Sequence, residues 1–134
     1  MRYLLFIFIF VGFLGCAQIA IHKQMSISDT LRTEIELGMV RADFIQKTEL
    51  AGVDYEGRLG KKPERFLKDG KKYHVYFLRT SLQNDGLVTD DEFTPHIFEN
   101  DKLVGIGWTY LGGPATQGQS RDTHITNVTV QGNN

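Results

Sequence analysis

A run of acidic residues in the second half of the chain has part of the spacing of a calcium-binding loop. With Gly86 at position 6 of such a loop, Asp85 falls at position 5 and Glu92 at position 12. An EF-hand needs that glycine and that bidentate glutamate, but here positions 1 and 3 hold a serine and a glutamine rather than acids. The alternative is an acidic hairpin loop that Arg79 holds by a charge-assisted hydrogen bond, and we expect this second arrangement.

The histidines lack the spacing of a metal site. They are His22, His74, His96 and His124. His74 and His96 can approach each other on neighbouring strands, but two histidines without a third ligand are weak evidence for zinc. Together with Asp90 and Glu92 they are the candidates for a hydrolytic or metal-dependent site. The sequence has no nucleophile elbow, phosphate loop or dinucleotide fingerprint. We therefore predict no catalytic residue, no bound metal, no cofactor and no enzymatic activity.

The N-terminal segment has the pattern of an export signal. Residues 4–14 are apolar and follow Arg2, which fits a signal peptide and is shorter than the roughly 20 residues of a spanning helix. Residues 13–16, Phe-Leu-Gly-Cys, resemble the lipobox of bacterial lipoproteins. This resemblance implies cleavage before Cys16 and acylation of that cysteine with several chains, which stable anchoring requires. Since Ala17 follows, the resemblance favours the outer membrane, with the inner membrane as the alternative.

Two other readings of this segment stay open. Residues 3–21 carry no charge, so an uncleaved signal anchor is physically possible. Cys16 could also be a small buried hydrophobic residue, as free cysteines often are. Because it is the single cysteine, the exported domain would contain no intramolecular disulfide and would depend on packing for its stability.

The charge balance argues against nucleic-acid binding, because 15 Lys and Arg stand against 16 Asp and Glu. One segment is nevertheless basic: Lys61, Lys62, Arg65, Lys68, Lys71 and Lys72. Such a patch could face anionic lipid headgroups or an acidic partner. We expect instead a solvated loop.

Two short helices are predicted in the first half of the chain. Ser28 or Asp29 is suited to cap the first helix, and Gly38 lies where a positive φ would end it. The second helix is expected over about residues 40–50, ending at Gly52. Neither helix is long enough to be stable alone, so we expect a packed helical hairpin.

The second half has β character. Residues 51–70 show no period, and a single helical turn is predicted at 63–68, where proline would occupy the first position. A first strand is expected at 72–81, and a hairpin is expected from 92–98 and 103–111.

One register of that hairpin separates apolar from polar residues. With Phe98 opposite Leu103, one face carries Phe93, Pro95, Ile97, Val104, Ile106 and Trp108. We predict that this face is the core side. A bulge or an edge position is expected at Pro95, since proline cannot donate to the ladder.

The order of elements resembles a known family of envelope proteins. A helix, Gly38-Met39, a second helix, a long connection and three strands over about residues 29–111 resemble the SmpA/OmlA-type small lipoproteins of the outer-membrane β-barrel assembly machinery. The stretch from Phe77-Leu78-Arg79-Thr80 to Leu103-Val104-Gly105 resembles more closely a set of short exported bacterial proteins without a described activity. These resemblances imply a fold and a location, and they imply no chemistry.

The predicted fold class is therefore α+β, with a helical hairpin packed on a three-stranded antiparallel sheet. The predicted organisation is a signal peptide at 1–15, the lipidated cysteine and a tether at 16–28, an α+β domain at 29–111 and a mostly disordered tail at 112–134. We expect a lipid-anchored binding or scaffolding protein at the periplasmic face of the outer membrane, acting in outer-membrane assembly or maintenance. Its partners would be the membrane and another envelope protein, reached through the sheet face or the 82–91 loop. The alternatives are a metal-binding module, an inhibitor-like module and a signal-anchored protein of another activity.

Overall fold

The computed structural model describes residues 18–56, 59–83 and 88–113, in which two helices precede a four-stranded antiparallel sheet. Helix α1 covers residues 18–32 and α2 covers Arg41–Ala51. The strands, in spatial order, are β1 Glu64–Lys68, β2 Lys71–Arg79, β3 Phe93–Glu99 and β4 Lys102–Ile106. Short 3₁₀ helices at Asp90–Glu92 and Trp108–Leu111 flank the β3–β4 hairpin. The predicted α+β class is confirmed, with four strands instead of three.

Helix α1 begins earlier than the sequence indicates. Ser28 and Asp29 lie inside it, so the prediction that either is its N-cap is wrong. Gln24, in the segment predicted as a tether, donates its side-chain amide to the Gly52 carbonyl at 2.9 Å and accepts from the Asp54 amide at 3.0 Å. These long-range bonds hold the segment against the end of α2, which compensates for its weak local helical pattern.

The predicted helix ends are correct at one glycine and displaced at the other. Gly52 has φ 83° and its amide bonds to the last turn of α2, which confirms the predicted end of that helix. Gly38 also has a positive φ, 88°, but α1 has already ended at residue 32. The Gly38 amide instead donates to the Leu103 carbonyl at 2.7 Å, and the Leu103 amide donates to the Met39 carbonyl at 2.9 Å.

Strand β1 replaces the helical turn predicted at 63–68, and that prediction is wrong. The strand pairs with β2 through a tight turn at Asp69 and Gly70, both at positive φ. Phe66 stacks on Tyr73, directly opposite, with ring centroids 5.1 Å apart. Because this cross-strand packing outweighs the proline signal, the basic segment forms a hairpin rather than the solvated loop we expected.

The β3–β4 hairpin has the predicted turn but not the predicted register. Phe98 lies opposite Leu103, as expected, and the turn residues Asn100 and Asp101 have positive φ. One step further, Ile97 lies opposite Gly105, so the register shifts by one residue. The bulge therefore lies in β4, at the residue between Leu103 and Gly105, and not at Pro95 as predicted.

Both faces of the sheet are buried. The helices cover one face and form a cluster with it: Leu31, Ile35, Phe44, Tyr76, Leu78, Phe98 and Leu103. The opposite face forms a second cluster, Tyr73, Val75, Phe77, Phe93 and Ile97, against which Phe66, Val104, Trp108 and Leu111 pack. Of the predicted core face, Phe93, Ile97, Val104 and Trp108 belong to this second cluster, Pro95 is buried, and Ile106 is half-exposed. The prediction that this face is a core side is thus confirmed, and the helices cover the other face.

Candidate functional site

An open cleft separates helix α1 from the sheet, at the end where β2 stops and β3 starts. Its volume is about 170 Å³. Its lining residues are Met25, Ser28, Asp29, Arg32, Ile35, Thr80, Thr94, His96 and Ile106. The α1 residues among them recur at helical spacing, so one side of the helix forms one wall and the strands form the other.

The polar groups of the cleft are mostly bonded to each other or to backbone. The Thr80 and Thr94 hydroxyls lie 2.9 Å apart, and the Ser28 hydroxyl donates to a carbonyl one turn earlier in α1. Asp29 and Arg32 form an exposed pair at 3.6 Å on the rim. The cleft therefore offers an apolar interior with a polar rim and hydroxyl groups that are already engaged.

His96 lies at the base of this cleft and is a packed core residue. Its ring is 5.2 Å from the Phe44 ring, its Nδ1 lies 3.2 Å from the Thr94 carbonyl, and it is only 5 % exposed. Burial lowers the pKa of His96 to about 4, so the ring is neutral at pH 7. A neutral ring with so low a pKa is poorly suited to act as a general base.

His74 occupies the same sheet face on the neighbouring strand. It lies opposite Phe98, whereas His96 lies opposite Tyr76, so the two histidines are diagonal neighbours and share no hydrogen bond within the described residues. Burial lowers the pKa of His74 as well, and the nearby Arg41 adds to the effect. His22 is exposed on α1. His124 and the lipidation candidate Cys16 lie outside the described residues.

A buried ion pair holds the start and end of the loop that follows β2. Arg79 Nη1 lies 2.9 Å from Glu92 Oε1, and the two side chains are 2 % and 1 % exposed. Arg79 Nε also donates to the Leu59 carbonyl at 2.7 Å. The Glu92 carboxylate accepts from the Gln83 amide and the Thr89 amide, each at 3.1 Å. The prediction that Arg79 holds this acidic loop is confirmed.

These contacts occupy groups that the calcium site considered for the same loop would need as ligands. Glu92, the required bidentate ligand, already accepts one guanidinium and two backbone amides. Asp90 is paired with Lys61, whose ammonium lies 4.1 Å from the centre of the Phe77 ring. Among residues 18–56, 59–83 and 88–113, no three potential ligands converge on a metal position. Asp85 and Gly86 fall outside those ranges.

The sequence did not reveal the cleft, because Met25 and Ser28, which belong to its α1 wall, were assigned to a tether. A signal was present, however. Met25, Ser28, Asp29 and Arg32 follow the i, i+3, i+4, i+7 spacing of one helix face. This pattern was not recognised because the helix face carries both polar and apolar residues instead of apolar residues alone.

None of the helices in the described residues combines the length and apolar character needed to cross a bilayer. No curated protein and no solved structure matches the chain. One family model does match, over residues 23–111, from within α1 to the end of the second 3₁₀ helix. The matched range contains both helices' core-facing residues, all four strands and the cleft, and it covers about two thirds of the sequence. The chain therefore belongs to the family described as "Protein of unknown function (DUF3192)".

Proposed function

We propose that this protein is a binding module of the bacterial cell envelope, anchored through a lipidated Cys16 at the periplasmic face of the outer membrane. The inner membrane is the alternative location. In this proposal the protein acts as a scaffold without catalysis, in outer-membrane assembly or maintenance. The observation that carries the proposal is the cleft between α1 and the sheet.

The size and lining of the cleft suit a side chain of a partner protein. A volume of about 170 Å³ is below the roughly 300 Å³ at which small-molecule sites begin. Met25, Ile35 and Ile106 provide apolar walls, and Ile106 is 45 % exposed beside them. The exposed Asp29–Arg32 pair lies on the rim. The cleft therefore has an apolar centre and a polar border, as protein–protein interfaces do.

The position of α1 connects this cleft to the proposed anchor. The helix is described from residue 18, two positions after Cys16, and Met25 and Asp29 lie on it. A partner bound in the cleft would thus lie close to the lipid surface. The resemblance to SmpA/OmlA-type lipoproteins supports the same role.

Site-specific photocrosslinking in intact envelopes tests the cleft. A photoreactive residue at Ile106 should give an adduct with one partner, and Met25→Glu in the same chain should abolish it, because a carboxylate would enter the apolar wall. The control is the same residue at the exposed position Gln46 on α2, where no adduct is expected. Equal adducts from both positions, or none from Ile106, would refute binding through the cleft.

Mass spectrometry of the native product tests the anchor separately. The expected chain starts at Cys16 and carries acyl chains on that residue. The Cys16→Ser variant should keep residues 1–15 and carry no lipid. An intact Met1 together with an unmodified Cys16 thiol would contradict the anchor.

A further inference from the structure

The end of the sheet at the β1–β2 turn carries several cations, most of which have no ionic partner among the described residues. Arg65, Lys68 and Lys72 are exposed, and within the described part of the chain they form no ion pair. Lys68 lies directly opposite Lys71 in the ladder. Like charges at directly opposed positions destabilise a sheet. Lys71 is paired with Glu99 at 2.7 Å, but the ion pairs of the described residues give no reason for Arg65, Lys68 and Lys72 at this end.

Two of these cations and the imidazole of His74 share the helix-covered side of the sheet at its open corner, where a third cation comes from helix α2. Arg65 lies opposite His74 in the register, and Lys72 precedes His74 by two residues on the same face. Arg41, at the start of α2, completes the group. The charged residues that act on His74 are Arg41, Arg65, Lys72 and Asp101. Since Asp101 is the single anion among them and is bonded to Arg41, the corner has an excess of positive charge.

The two ring nitrogens of His74 differ in their surroundings. Nδ1 is buried and has no hydrogen-bond partner among the described residues. A buried N–H without an acceptor is rarer than a buried acceptor without a donor, so the ring proton belongs on Nε2. Nε2 makes no hydrogen bond to the described residues, which leaves one N–H donor at the corner among the cations.

We propose that this corner, formed by Arg41, Arg65, Lys72 and His74, is a binding site for a phosphate group. The Arg65 guanidinium matches the geometry of phosphate oxygens, and His74 Nε2 donates a hydrogen bond. Lys72 adds a second positive charge, and Arg41, which is bonded to Asp101 and Tyr76, lies behind them. The phosphate can belong to a lipid headgroup or to a free phosphate, because the same oxygens are presented by both.

This site is separate from the cleft. Lys72 is the second residue of β2, whereas Thr80, which lines the cleft, follows its last residue. Eight residues of extended strand span about 26 Å. A ligand at the corner therefore needs neither the cleft nor the proposed partner, and failure of one proposal leaves the other intact.

Histidine NMR of the full chain in non-ionic detergent micelles tests the site. His74 is assigned by comparison with His74→Gln, and inorganic phosphate or glycerophosphoglycerol is added at about 20 mM ionic strength, where screening is weak. The His74 ring resonances should shift saturably, and the titration midpoint of His74 should rise because a bound anion favours the charged ring. Arg65→Gln and Lys72→Gln should each weaken binding about fivefold. The matched control is Lys23→Gln, an exposed lysine on α1, which should leave binding unchanged.

The two probes distinguish the sources of the phosphate. Stronger binding of glycerophosphoglycerol assigns the site to a lipid headgroup, and stronger binding of inorganic phosphate assigns it to a free phosphate. The proposal is overturned if neither probe gives a saturable shift. It is also overturned if acetate binds as tightly as phosphate, or if the Arg65 and Lys72 variants bind like the Lys23 variant.

Discussion

The two ends of strand β2 differ in how they accommodate a positively charged side chain: one buries it in an ion pair, and the other leaves it exposed. At one end Arg79 is 3 % exposed, bonded to Glu92 and to a backbone carbonyl, and its guanidinium lies 4.6 Å from the Phe93 ring centre. At the other end Lys72 is exposed and forms no ion pair within the described residues. The same strand therefore carries one cation that is fully used by the fold and another that the fold does not use.

This difference follows from desolvation. A buried charge without a partner costs several kcal/mol, so Arg79 requires Glu92 in order to stay inside. An exposed charge such as Lys72 remains hydrated and needs no partner. The Arg79 end is consequently a fixed structural unit, whereas charge at the Lys72 end is available for a ligand.

The largest expected effect comes from breaking the buried pair. Glu92→Ala leaves the Arg79 charge inside without compensation and removes the acceptor of two backbone amides. We expect a loss of about 3–5 kcal/mol in the free energy of unfolding, measured by urea denaturation. The double variant Arg79→Met, Glu92→Met should lose clearly less than Glu92→Ala alone. A double variant at least as unstable as the single one would show that the charge pairing is not the cause.

A second effect of comparable size is a dependence of stability on pH. The pKa of buried His96 is about 4 in the folded chain, against about 6.5 when unfolded. The stabilisation from keeping this ring neutral is thus complete above pH 6.5 and is lost as the pH falls from 6.5 to 4, by roughly 3 kcal/mol. Urea titrations across this range should show the loss, and His96→Gln should flatten it. An unchanged slope in that variant would assign the dependence to other groups.

A moderate loss in the free energy of unfolding is expected when the charge of Lys61 is removed. Its ammonium contacts the Phe77 ring and pairs with Asp90 and Glu64. Lys61→Met keeps the apolar stem and should cost about 1 kcal/mol. The neighbouring exposed Lys62 provides the control, because Lys62→Met should leave the urea midpoint unchanged. Equal losses from both substitutions would contradict the distinction.

The smallest expected effect is a gain in stability, and it comes from the end of the sheet at the β1–β2 turn. Lys68→Glu places an anion opposite Lys71, whose ammonium lies 2.7 Å from Glu99 Oε1, and removes the Lys68–Lys71 repulsion. The thermal midpoint should rise by about 2 °C, measured by circular dichroism at low salt. Added salt should reduce the gain, since it screens the repulsion in the parent chain. A fall in the midpoint would mean that Lys68 has a stabilising contact.

Local sequence signals predicted the structure correctly where the residues involved favour a single backbone conformation. Gly52 ends α2 because it adopts the left-handed conformation, and Asn100-Asp101 form the tight turn that sets Phe98 opposite Leu103. The sequence also predicted that Arg79 holds the acidic loop, because the arginine directly precedes it; the partner, Glu92, came from the structure.

Long-range packing decided the elements that the sequence did not reveal. Phe66 makes β1 a strand by stacking on Tyr73, despite the flanking charges and Pro63. The bulge in β4 places Gly105 beneath the Tyr110 ring, where a Cβ would lie 2.8 Å from Cδ2. Apolar alternation could not indicate this shift, because both faces of the sheet are buried and either register buries apolar residues.

The cleft and the cationic corner were hidden for the same reason. Met25 and Thr94 are far apart in sequence and meet only because α1 packs across the strand ends. The basic residues around Lys72 were visible as a run, but their arrangement around His74 depends on the β1–β2 register.

The backbone bonds between residues 38–40 and β4 have a consequence for the behaviour of many copies together. Open strand borders invite pairing between molecules, and a protein concentrated on a surface meets its copies often. Here Met39 and Gly38 occupy the outer groups of Leu103, while β1 presents Glu64, Arg65 and Lys68 along its own border. One border is thus covered at Leu103 by the chain itself and the other is guarded by charge, which disfavours pairing between copies through the sheet.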